Sequence, residues 1–446
     1  MDNKRKLHIS PMLKIVLCFI CIIIIGGLIL KLPISIQKGQ KLAWVDAFFT
    51  STSAVCVTGL SPINVGVVLS KFGQVVLALL IQIGGIGFVT FAVFVMIMLG
   101  MKIGISERTL LKEALNQNSH QGLVKLVIRI IITSLVIELL GAIINFIVFI
   151  QEFSFWEAVH QSLFLSISAF NNAGFDVFVT GNSLMNYSGN ILLNINICLL
   201  ITLGGLGFIV INDIITNKRW KNLSMHSKIV LITTFSLIVS GTLFIFISQA
   251  FSDYKITFLE AIFQCITCRT AGFYTIDLKS LTMFSMIISL TLMFIGASPC
   301  STGGGIKTTT LFVMLKSVKG FASGKTSIAF HRKIGSQTKI KAFTLTTIAI
   351  ASIGFFSLII SFIEQFNTTH TPTFIQIIFE TVSAFGTVGS SLGLTSQLLP
   401  LSKIFLCLLM FLGRVGALTL FSLWNKNWNN PNNETVKYVE EKFIIG

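Results

Sequence analysis

The chain reads Val57-Thr58-Gly59-Leu60 near its start, and three later phrases share its central glycine: Asn172-Ala173-Gly174-Phe175, Thr270-Ala271-Gly272-Phe273 and Thr387-Val388-Gly389-Ser390. Each of these four glycine phrases lies between two long apolar segments and follows a stretch with the pattern of a short helix. Four hairpins that each carry one glycine-centred loop at membrane depth predict a ring of loops around a pore. The arrangement indicates a channel-like pathway for cations.

The composition is that of a membrane protein. Of the 446 residues, 53% are hydrophobic and 11% are charged, and the mean hydropathy is +0.85. Soluble domains carry roughly 25% charged residues, so this chain has too few charges to cover a water-exposed surface. The formal charge of +16 would suit a nucleic-acid partner, but the positions of the charges give another explanation.

Eight segments are long and apolar enough to cross a bilayer, which takes about 20 residues. They are residues 12–32, 73–99, 123–150, 189–211, 228–250, 281–315, 341–363 and 401–424, of which the sixth is interrupted. Between the members of each pair lies a segment too short to span. These four segments, residues 44–54, 155–170, 258–268 and 374–385, are predicted to be re-entrant pore helices that each lead into a glycine phrase.

The basic residues fix the predicted orientation. If the N-terminus is cytoplasmic, 24 of the 33 Lys and Arg lie inside, seven lie outside and two, Arg269 and Arg414, lie in the membrane. This asymmetry predicts a multi-pass protein of the plasma membrane with both termini in the cytoplasm. The positive charge therefore reflects topology and membrane lipid, and no nucleic-acid partner is predicted. Acids on the outer side would enrich cations at the mouth of the pore.

The predicted fold is an all-α integral membrane protein of four parallel repeats, each a helix, a pore helix, a filter loop and a second helix, around a central ion pore. The repeats are residues 1–100 with a short cytoplasmic N-terminus, 101–217, 218–330 with a broken helix, and 331–446 with a cytoplasmic C-terminus. Carbonyls of an extended loop can replace the hydration shell of K⁺, and glycine allows the backbone conformations that this needs. The glycines of the second helices, as in residues 81–88 and 201–208, indicate close helix packing instead.

The sixth apolar segment is interrupted by a run of small residues, here called the break segment. It comprises Gly296, Ala297, Ser298, Pro299, Cys300, Ser301, Thr302, Gly303, Gly304 and Gly305. Proline and glycine interrupt a helix, and small polar residues at this depth indicate contact with water, so we expect a mobile gate below the filter. Arg414, roughly 16 Å from either end of its span, is too deep to reach the interface and is expected to act at the gate. Arg269 is expected to point behind the filter towards a carboxylate or carbonyls, and Glu138 to be structural.

Three stretches resemble the Trk/Ktr/HKT superfamily of K⁺ transporters, most closely the KtrB-type membrane subunits of bacterial Ktr systems. They are R-T-A-G-F at residues 269–273, G-A-S-P-C-S-T-G-G-G-I-K at 296–307 and L-G-R-V-G at 412–416, and the match covers nearly the whole chain. The resemblance implies a filter of the four glycine phrases with K⁺ at their backbone carbonyls, a gate formed by the break segment with Arg414, and no organic cofactor. It also implies a homodimer on a cytosolic ring of nucleotide-binding regulatory subunits that sense ATP and ADP, and K⁺ uptake stimulated by Na⁺. Cys300 departs from the small residue expected there.

Three other functions compete with K⁺ uptake. A Na⁺-selective or nonselective cation transporter would have the same architecture. An ATP-driven pump finds support only in Gly320–Thr326, which has three residues instead of four between its glycines and lacks a surrounding strand–helix domain. A non-conducting membrane scaffold would not need four glycine phrases.

Overall fold

The computed structural model describes residues 11–101, 103–114, 121–368 and 370–416. Its first nine helices are α1 (Pro11–Lys31), α2 (Trp44–Val55), α3 (Val65–Val68), α4 (Lys71–Ile86), α5 (Phe88–Met98), α6 (Ile105–Ala114), α7 (Leu123–Phe149), α8 (Phe155–Phe170) and α9 (Ile191–Leu206). The others are α10 (Phe208–Asn217), α11 (Met225–Ala250), α12 (Phe258–Thr267), α13 (Met283–Phe294), α14 (Thr308–Ala322), α15 (Ser336–Glu364), α16 (Phe374–Gly386) and α17 (Pro400–Val415). The predicted cytoplasmic termini lie outside the described residues.

A small hairpin is the one strand pair of the described residues, and the sequence did not predict it. β1 (Ile328–Ala329) and β2 (Arg332–Lys333) pair antiparallel between α14 and α15, so the fold remains all-α in character. Gly320 lies inside α14, which leaves no strand–loop–helix unit for a phosphate-binding loop.

Four helices cross the molecule without interruption, and each leads into a pore helix. These spans are α1, α7, α11 and α15, of 21, 27, 26 and 29 residues. The pore helices α2, α8, α12 and α16 have the predicted bounds to within one residue. The third, α12, has 10 residues against 12, 16 and 13 in the others.

The eight predicted spans are not all continuous helices: four are uninterrupted, and in the described residues the second helix of each set is broken or ends at a glycine. The chain turns by 105° between α4 and α5, and by 96° between α9 and α10. α13 and α14 are separated by residues 295–307, and α17 ends at Gly416. Gly87, Gly207 and Gly416 stand at three of these ends with φ of 92°, 93° and 87°, a conformation that stops an α-helix and that favours glycine.

The helices form a closed ring. Each span packs on its own pore helix, and each second helix packs on the pore helix of the next set: α4 on α8, α9 on α12, α13 on α16, and α17 on α2. The last contact joins the end of the chain to its beginning, so the four sets surround one axis. The repeat divisions at residues 100, 217 and 330 stay predictions.

Each contact between neighbouring sets of the ring is here called a seam. Ion pairs join two of the four seams, at the end of the molecule where the pore helices begin, here called the loop end. Lys403 Nζ lies 2.7 Å from Asp46 Oδ1, across the seam between the fourth and first sets. Lys71 Nζ lies 2.6 Å from Glu157 Oε1, across the seam between the first and second. Asp46, Glu157 and Glu260 occupy the first turns of their pore helices, where acids are favourable. Asp46 and Glu157 each have a lysine partner, and the expectation that acids on this side attract cations stays a prediction.

Candidate functional site

Each glycine phrase is fastened to the end of its own pore helix. The N–H group before the phrase glycine donates to a helix carbonyl in all four copies: Thr58 to Ser53 (2.8 Å), Ala173 to Ser168 (2.8 Å), Ala271 to Thr267 (2.8 Å) and Val388 to Ser383 (2.9 Å). The side chains of Ser53 and Ser383 also accept from the N–H groups of Gly59 and Gly389, at 3.0 and 3.1 Å. These bonds satisfy the N–H groups, which leaves the phrase carbonyls available to other partners.

All four phrase glycines have a left-handed backbone. Their φ values are 91° at Gly59, 69° at Gly174, 78° at Gly272 and 92° at Gly389. The first residue of three phrases, Val57, Asn172 and Thr387, also has positive φ, between 49° and 59°. Such conformations are costly for a β-branched residue, and strained backbone of this kind concentrates at functional sites. The third phrase lacks the feature at Thr270, in keeping with its shorter pore helix.

The four phrases meet one another in a ring of carbonyls. A Cβ atom on Gly59 would overlap the carbonyl oxygen of Ala173. One on Gly174 would overlap that of Ala271, and the series continues from Gly272 to Val388 and from Gly389 to Thr58. Each carbonyl thus lies against the glycine of the neighbouring phrase, and the series closes on itself. Only a residue without a side chain allows this approach.

A polar network supports the second phrase from behind. Glu138, on α7, is 5% exposed and accepts hydrogen bonds from Gln82 and from Asn171, the residue before the phrase. Both distances are 3.0 Å, and Asn171 also donates to Gln82 at 2.8 Å. The structural role expected for Glu138 agrees with these contacts, since burying a carboxyl without partners would be costly.

The expectation for Arg269 was wrong. This residue is 7% exposed and lies beside a small cavity with Asn172, Thr202 and Thr234, but no described residue accepts a hydrogen bond from its guanidinium. Its Nε atom is buried without a partner. It lines this cavity together with hydroxyl and amide side chains, and no carboxylate from the described part of the chain lines the cavity.

The break segment crosses the molecule below the ring and touches the other sets. Residues 204 and 205 of α9 accept from its backbone: Ser298 N donates to Gly205 O at 3.0 Å, and Thr302 N to Gly204 O at 3.3 Å. The Cys300 carbonyl accepts from Phe208 N at 2.9 Å. On the opposite side, Gly304 N donates to the hydroxyl of Thr387 in the fourth phrase at 2.8 Å. Predicted filter and predicted gate are therefore in direct contact.

Arg414 connects the break segment to the first set. Its guanidinium donates to the carbonyls of Thr302 and Gly84, and to that of Gly85 at 3.1 Å. Arg414 therefore lies against the break segment, and its role at a gate stays a prediction. Lys307 adds a second cation, which donates to the carbonyl of Gly303 at 2.7 Å.

The acceptors of these contacts were not predicted from the sequence. The last carbonyls of an α-helix have no partner within the helix. Because α4 and α9 stop at Gly87 and Gly207, the carbonyls of residues 84, 85, 204 and 205 are free to accept from Arg414 and the break segment. Their glycines also pack closely, as predicted: a Cβ on Gly84 or Gly204 would overlap the carbonyl of Val55 or Phe170. The G-G-x-G motif was the sequence signal for these free carbonyls, but it was interpreted only as a sign of close helix packing.

Asp176 is the acid nearest to a phrase, one residue beyond Phe175. It accepts from the N–H of Phe178 at 3.2 Å. Burial raises the pKa of the Asp176 carboxyl to about 6, although the hydrogen bonds from Phe178 and Ser183 act in the opposite direction. Asp176 therefore changes charge close to neutral pH.

The comparisons of family, sequence and structure each match a cation transport protein. The family model described as "TrkH: Cation transport protein" matches residues 19–435. The Ktr system potassium uptake protein B of Bacillus subtilis (strain 168) is 40% identical over 453 residues, covering 99% of this chain and 98% of that protein. The potassium/sodium uptake protein NtpJ of Enterococcus hirae is 37% identical and covers 100% and 99%. The crystal structure of the potassium transporter TrkH from Vibrio parahaemolyticus has the same fold, with a TM-score of 0.70, 19% identity and coverage of 96% and 87%.

Proposed function

The chain belongs to the TrkH family of cation transport proteins, and we propose that it takes up potassium ions across the plasma membrane through the ring of glycine phrases. It is a transporter and not an enzyme. Two of its relatives are named as potassium uptake proteins of Ktr systems, from Bacillus subtilis and Vibrio alginolyticus, at 40% and 33% identity.

The ring of carbonyls carries this proposal. K⁺ sheds its water only where several oxygens replace the hydration shell, and backbone carbonyls serve this purpose in known filters. Here the carbonyls of Thr58, Ala173, Ala271 and Val388 follow one another round a closed series, with their N–H groups bonded to the pore helices. The residues that would hold the ion are the sixteen of the four phrases, by backbone carbonyls alone. The C-terminal ends of the pore helices add partial negative charge.

The break segment is the proposed gate. It lies directly below the ring and is held by Arg414 and by the free carbonyls of α9. Two cations, Lys307 and Arg414, flank it and oppose the passage of K⁺. Opening then requires that these hydrogen bonds break, which a movement of α10, α14 or α17 can cause.

The remaining elements of the proposal concern orientation and partners. Both termini lie in the cytoplasm, where the basic segment of residues 316–341, from the end of α14 to the start of α15, contacts a ring of nucleotide-binding regulatory subunits. Two transport subunits associate as a dimer, and Na⁺ stimulates uptake. The shared charge pattern at the starts of α7, α11 and α15, with Lys125, Lys228 and Lys339, supports this orientation.

A Na⁺-conducting transporter is the second candidate, since the 37% identical NtpJ is named as a potassium/sodium uptake protein. Ser390, which follows the last phrase glycine, is the one hydroxyl in that position, and its Oγ is buried without a partner.

Flux in proteoliposomes tests the proposal. The purified full chain, with and without a nucleotide-binding ring subunit, is reconstituted and loaded with KCl or NaCl, and uptake of ⁸⁶Rb⁺ and ²²Na⁺ is followed. Rubidium uptake that greatly exceeds sodium uptake is expected. Equal uptake of the two ions would favour the second candidate, and the absence of both with the ring subunit present would contradict the proposal.

A further inference from the structure

A large cavity lies off the pore axis at the loop end, between the first and second sets. It has a volume of about 980 Å³, within the range of roughly 300–1,000 Å³ that is typical of small-molecule sites. Its walls come from the loop after α1, the start of α4, the loop before α8, the first half of α8, and the segment that follows the second glycine phrase.

Two buried side chains in this cavity have unused acceptors. Gln74 and Gln161 are each 3% exposed. Their amide nitrogens donate to the Leu69 carbonyl at 3.1 Å and to Glu157 Oε1 at 3.2 Å. Their Oε1 atoms are buried and have no hydrogen-bond partner. A buried acceptor without a donor is costly, so the pair calls for a ligand that donates hydrogen bonds.

The equivalent seam of the ring shows which donor fits. Gln161 precedes its phrase glycine by 13 residues, as Asp46 does in the first set. Gln74 lies ten residues before Gly84, as Lys403 lies ten before Gly413, and Gly84 and Gly413 both pack against a pore-helix carbonyl. At the seam between the fourth and first sets, the Lys403 ammonium lies against Asp46. The seam at the cavity, between the first and second sets, has Gln74 and Gln161 at these two positions. At the cavity seam the ammonium of Lys71 lies on Glu157, one helical turn before Gln161, and no ammonium lies at the position that corresponds to Lys403.

The charged and exposed apolar residues of the cavity indicate the net charge and the apolar part of the ligand. Lys38, Lys71, Glu152 and Glu157 line it, so its charged groups sum to zero and suit a zwitterion. Its rim carries exposed apolar side chains, among them Ile34 (64%) and Val179 (69%). Trp156, 79% exposed beside Glu157, is typical of a residue at the level of lipid headgroups.

We propose that this cavity binds the headgroup of a zwitterionic phospholipid through a primary ammonium group, which donates to Gln74 and Gln161 in the place that Lys403 occupies at the equivalent seam. The headgroup phosphate lies towards Lys38, and the acyl chains leave over the apolar rim. None of the phrase residues lines the cavity, so the proposal does not depend on which cation the protein carries.

Native mass spectrometry of the full chain in detergent tests this proposal, with phosphatidylethanolamine and phosphatidylcholine as probes. The two headgroups differ in the three N-methyl groups of choline, which replace the N–H donors of ethanolamine and enlarge the headgroup, so the glutamine variants below separate the two effects. Wild-type protein is expected to prefer phosphatidylethanolamine by about tenfold, since hydrogen bonds from charged groups to buried acceptors are strong. Gln161→Leu and, independently, Gln74→Leu should abolish the preference, whereas Gln161→Glu, which keeps the acceptor, should retain it. Gln151→Leu, an exposed glutamine outside the cavity, is the matched control.

Equal affinity of wild-type protein for the two lipids would overturn the proposal, as would an unchanged preference in both leucine variants. A further outcome would also overturn the proposal: displacement of phosphatidylethanolamine by NaCl or KCl, but not by choline chloride at the same ionic strength. It would mean that the Oε1 atoms of Gln74 and Gln161 bind an inorganic cation.

Discussion

At the scale of single residues, the phrase backbone depends on where its N–H groups go. Ser383 Oγ accepts from Gly389 N at 3.1 Å, whereas Ser168 Oγ, at the same position in the second set, is buried without a partner. The two serines precede their glycines by six residues. Replacing each serine by alanine therefore distinguishes the loss of a hydrogen bond to the phrase from the loss of a hydroxyl group alone.

We expect Ser383→Ala to lower the preference for K⁺ over Na⁺ and Ser168→Ala to leave it nearly unchanged. The first change leaves the Gly389 N–H without an acceptor, at a cost of about 1–3 kcal/mol, and the second removes no bond. The ratio of ⁸⁶Rb⁺ to ²²Na⁺ uptake measures the effect. Equal ratios in the two variants would show that the bond does not hold the phrase.

Asp176 gives a prediction for pH at the same scale. Its pKa is raised to about 6, so the carboxylate beside the second phrase becomes neutral as the external pH falls through that value. Uptake by the wild type is expected to decline between pH 7.5 and 5.5, because a negative charge at the mouth is lost. Asp176→Asn should give low uptake at pH 7.5 and remove the decline in this range. Asp253→Asn, in the loop before α12, is the control and should keep it; a decline that survives in Asp176→Asn would assign it to another group.

At the scale of elements, the sequence predicted what is periodic and short. The pore helices were predicted to within one residue because each is bounded by a polar start and a glycine phrase. The bends at Gly87 and Gly207 were not, since a glycine in an apolar run is compatible with both a helix and a break. The decision between the two lies in tertiary contacts: Gly207 faces the Pro299 carbonyl of the break segment, which no local pattern reveals.

Arg414 provides the test at this scale. It holds the break segment to the end of α4 through the carbonyls of Thr302, Gly84 and Gly85. Arg414→Gln is expected to raise the rate of Rb⁺ uptake several-fold, because the hydrogen bonds that keep the segment closed are lost with a positive charge on the pathway. Arg129→Gln, which removes an exposed contact with Asn212, should leave the rate unchanged.

Uptake that is unchanged or abolished in Arg414→Gln, in protein that is inserted and monodisperse, would contradict a gating role. It would leave Arg414 as a structural tie between α17 and α4.

At the scale of the whole molecule, closure of the ring depends on the seam between the last and first sets. The side chains of Lys403 and Asp46 are 9% and 20% exposed, whereas those of Lys71 and Glu157 are 56% and 32% exposed. Breaking a buried pair leaves an uncompensated charge and costs about 3–5 kcal/mol, but exposed pairs contribute about 0–1 kcal/mol. The first seam should therefore matter more to stability.

Lys403→Met is expected to lower the melting temperature of the purified protein, and Lys71→Met to leave it nearly unchanged. Thermal unfolding in detergent, followed by tryptophan fluorescence, measures both. Similar shifts in the two variants would mean that the closing seam is held by helix packing rather than by the ion pair.

At this scale, the sequence predicted a ring of four loops but not the side-chain contacts that join the last set to the first. Four phrases with matched spacing imply four equivalent loops, and the four phrase glycines do lie against the neighbouring phrases in a closed series. The pairing of Lys403 with Asp46, 357 residues apart, and of Arg414 with α4, could not be read from spacing. The missing carboxylate at Arg269 shows the same limit, because a charged residue indicates that a partner is needed and not which one is present.

The most direct test of the account compares two glycines with the same backbone. Gly59 and Gly39 have φ of 91° and 87°, but a Cβ on Gly59 overlaps the carbonyl of Ala173, whereas one on Gly39 meets nothing within 4 Å. Rb⁺ uptake and growth at low K⁺ are measured, with and without Na⁺, in bacteria that lack their own K⁺ uptake. We predict that wild type and Gly39→Ser restore growth, and that Gly59→Ser reduces uptake and the preference for K⁺ over Na⁺. Unchanged uptake and selectivity in Gly59→Ser would contradict a pathway through the ring.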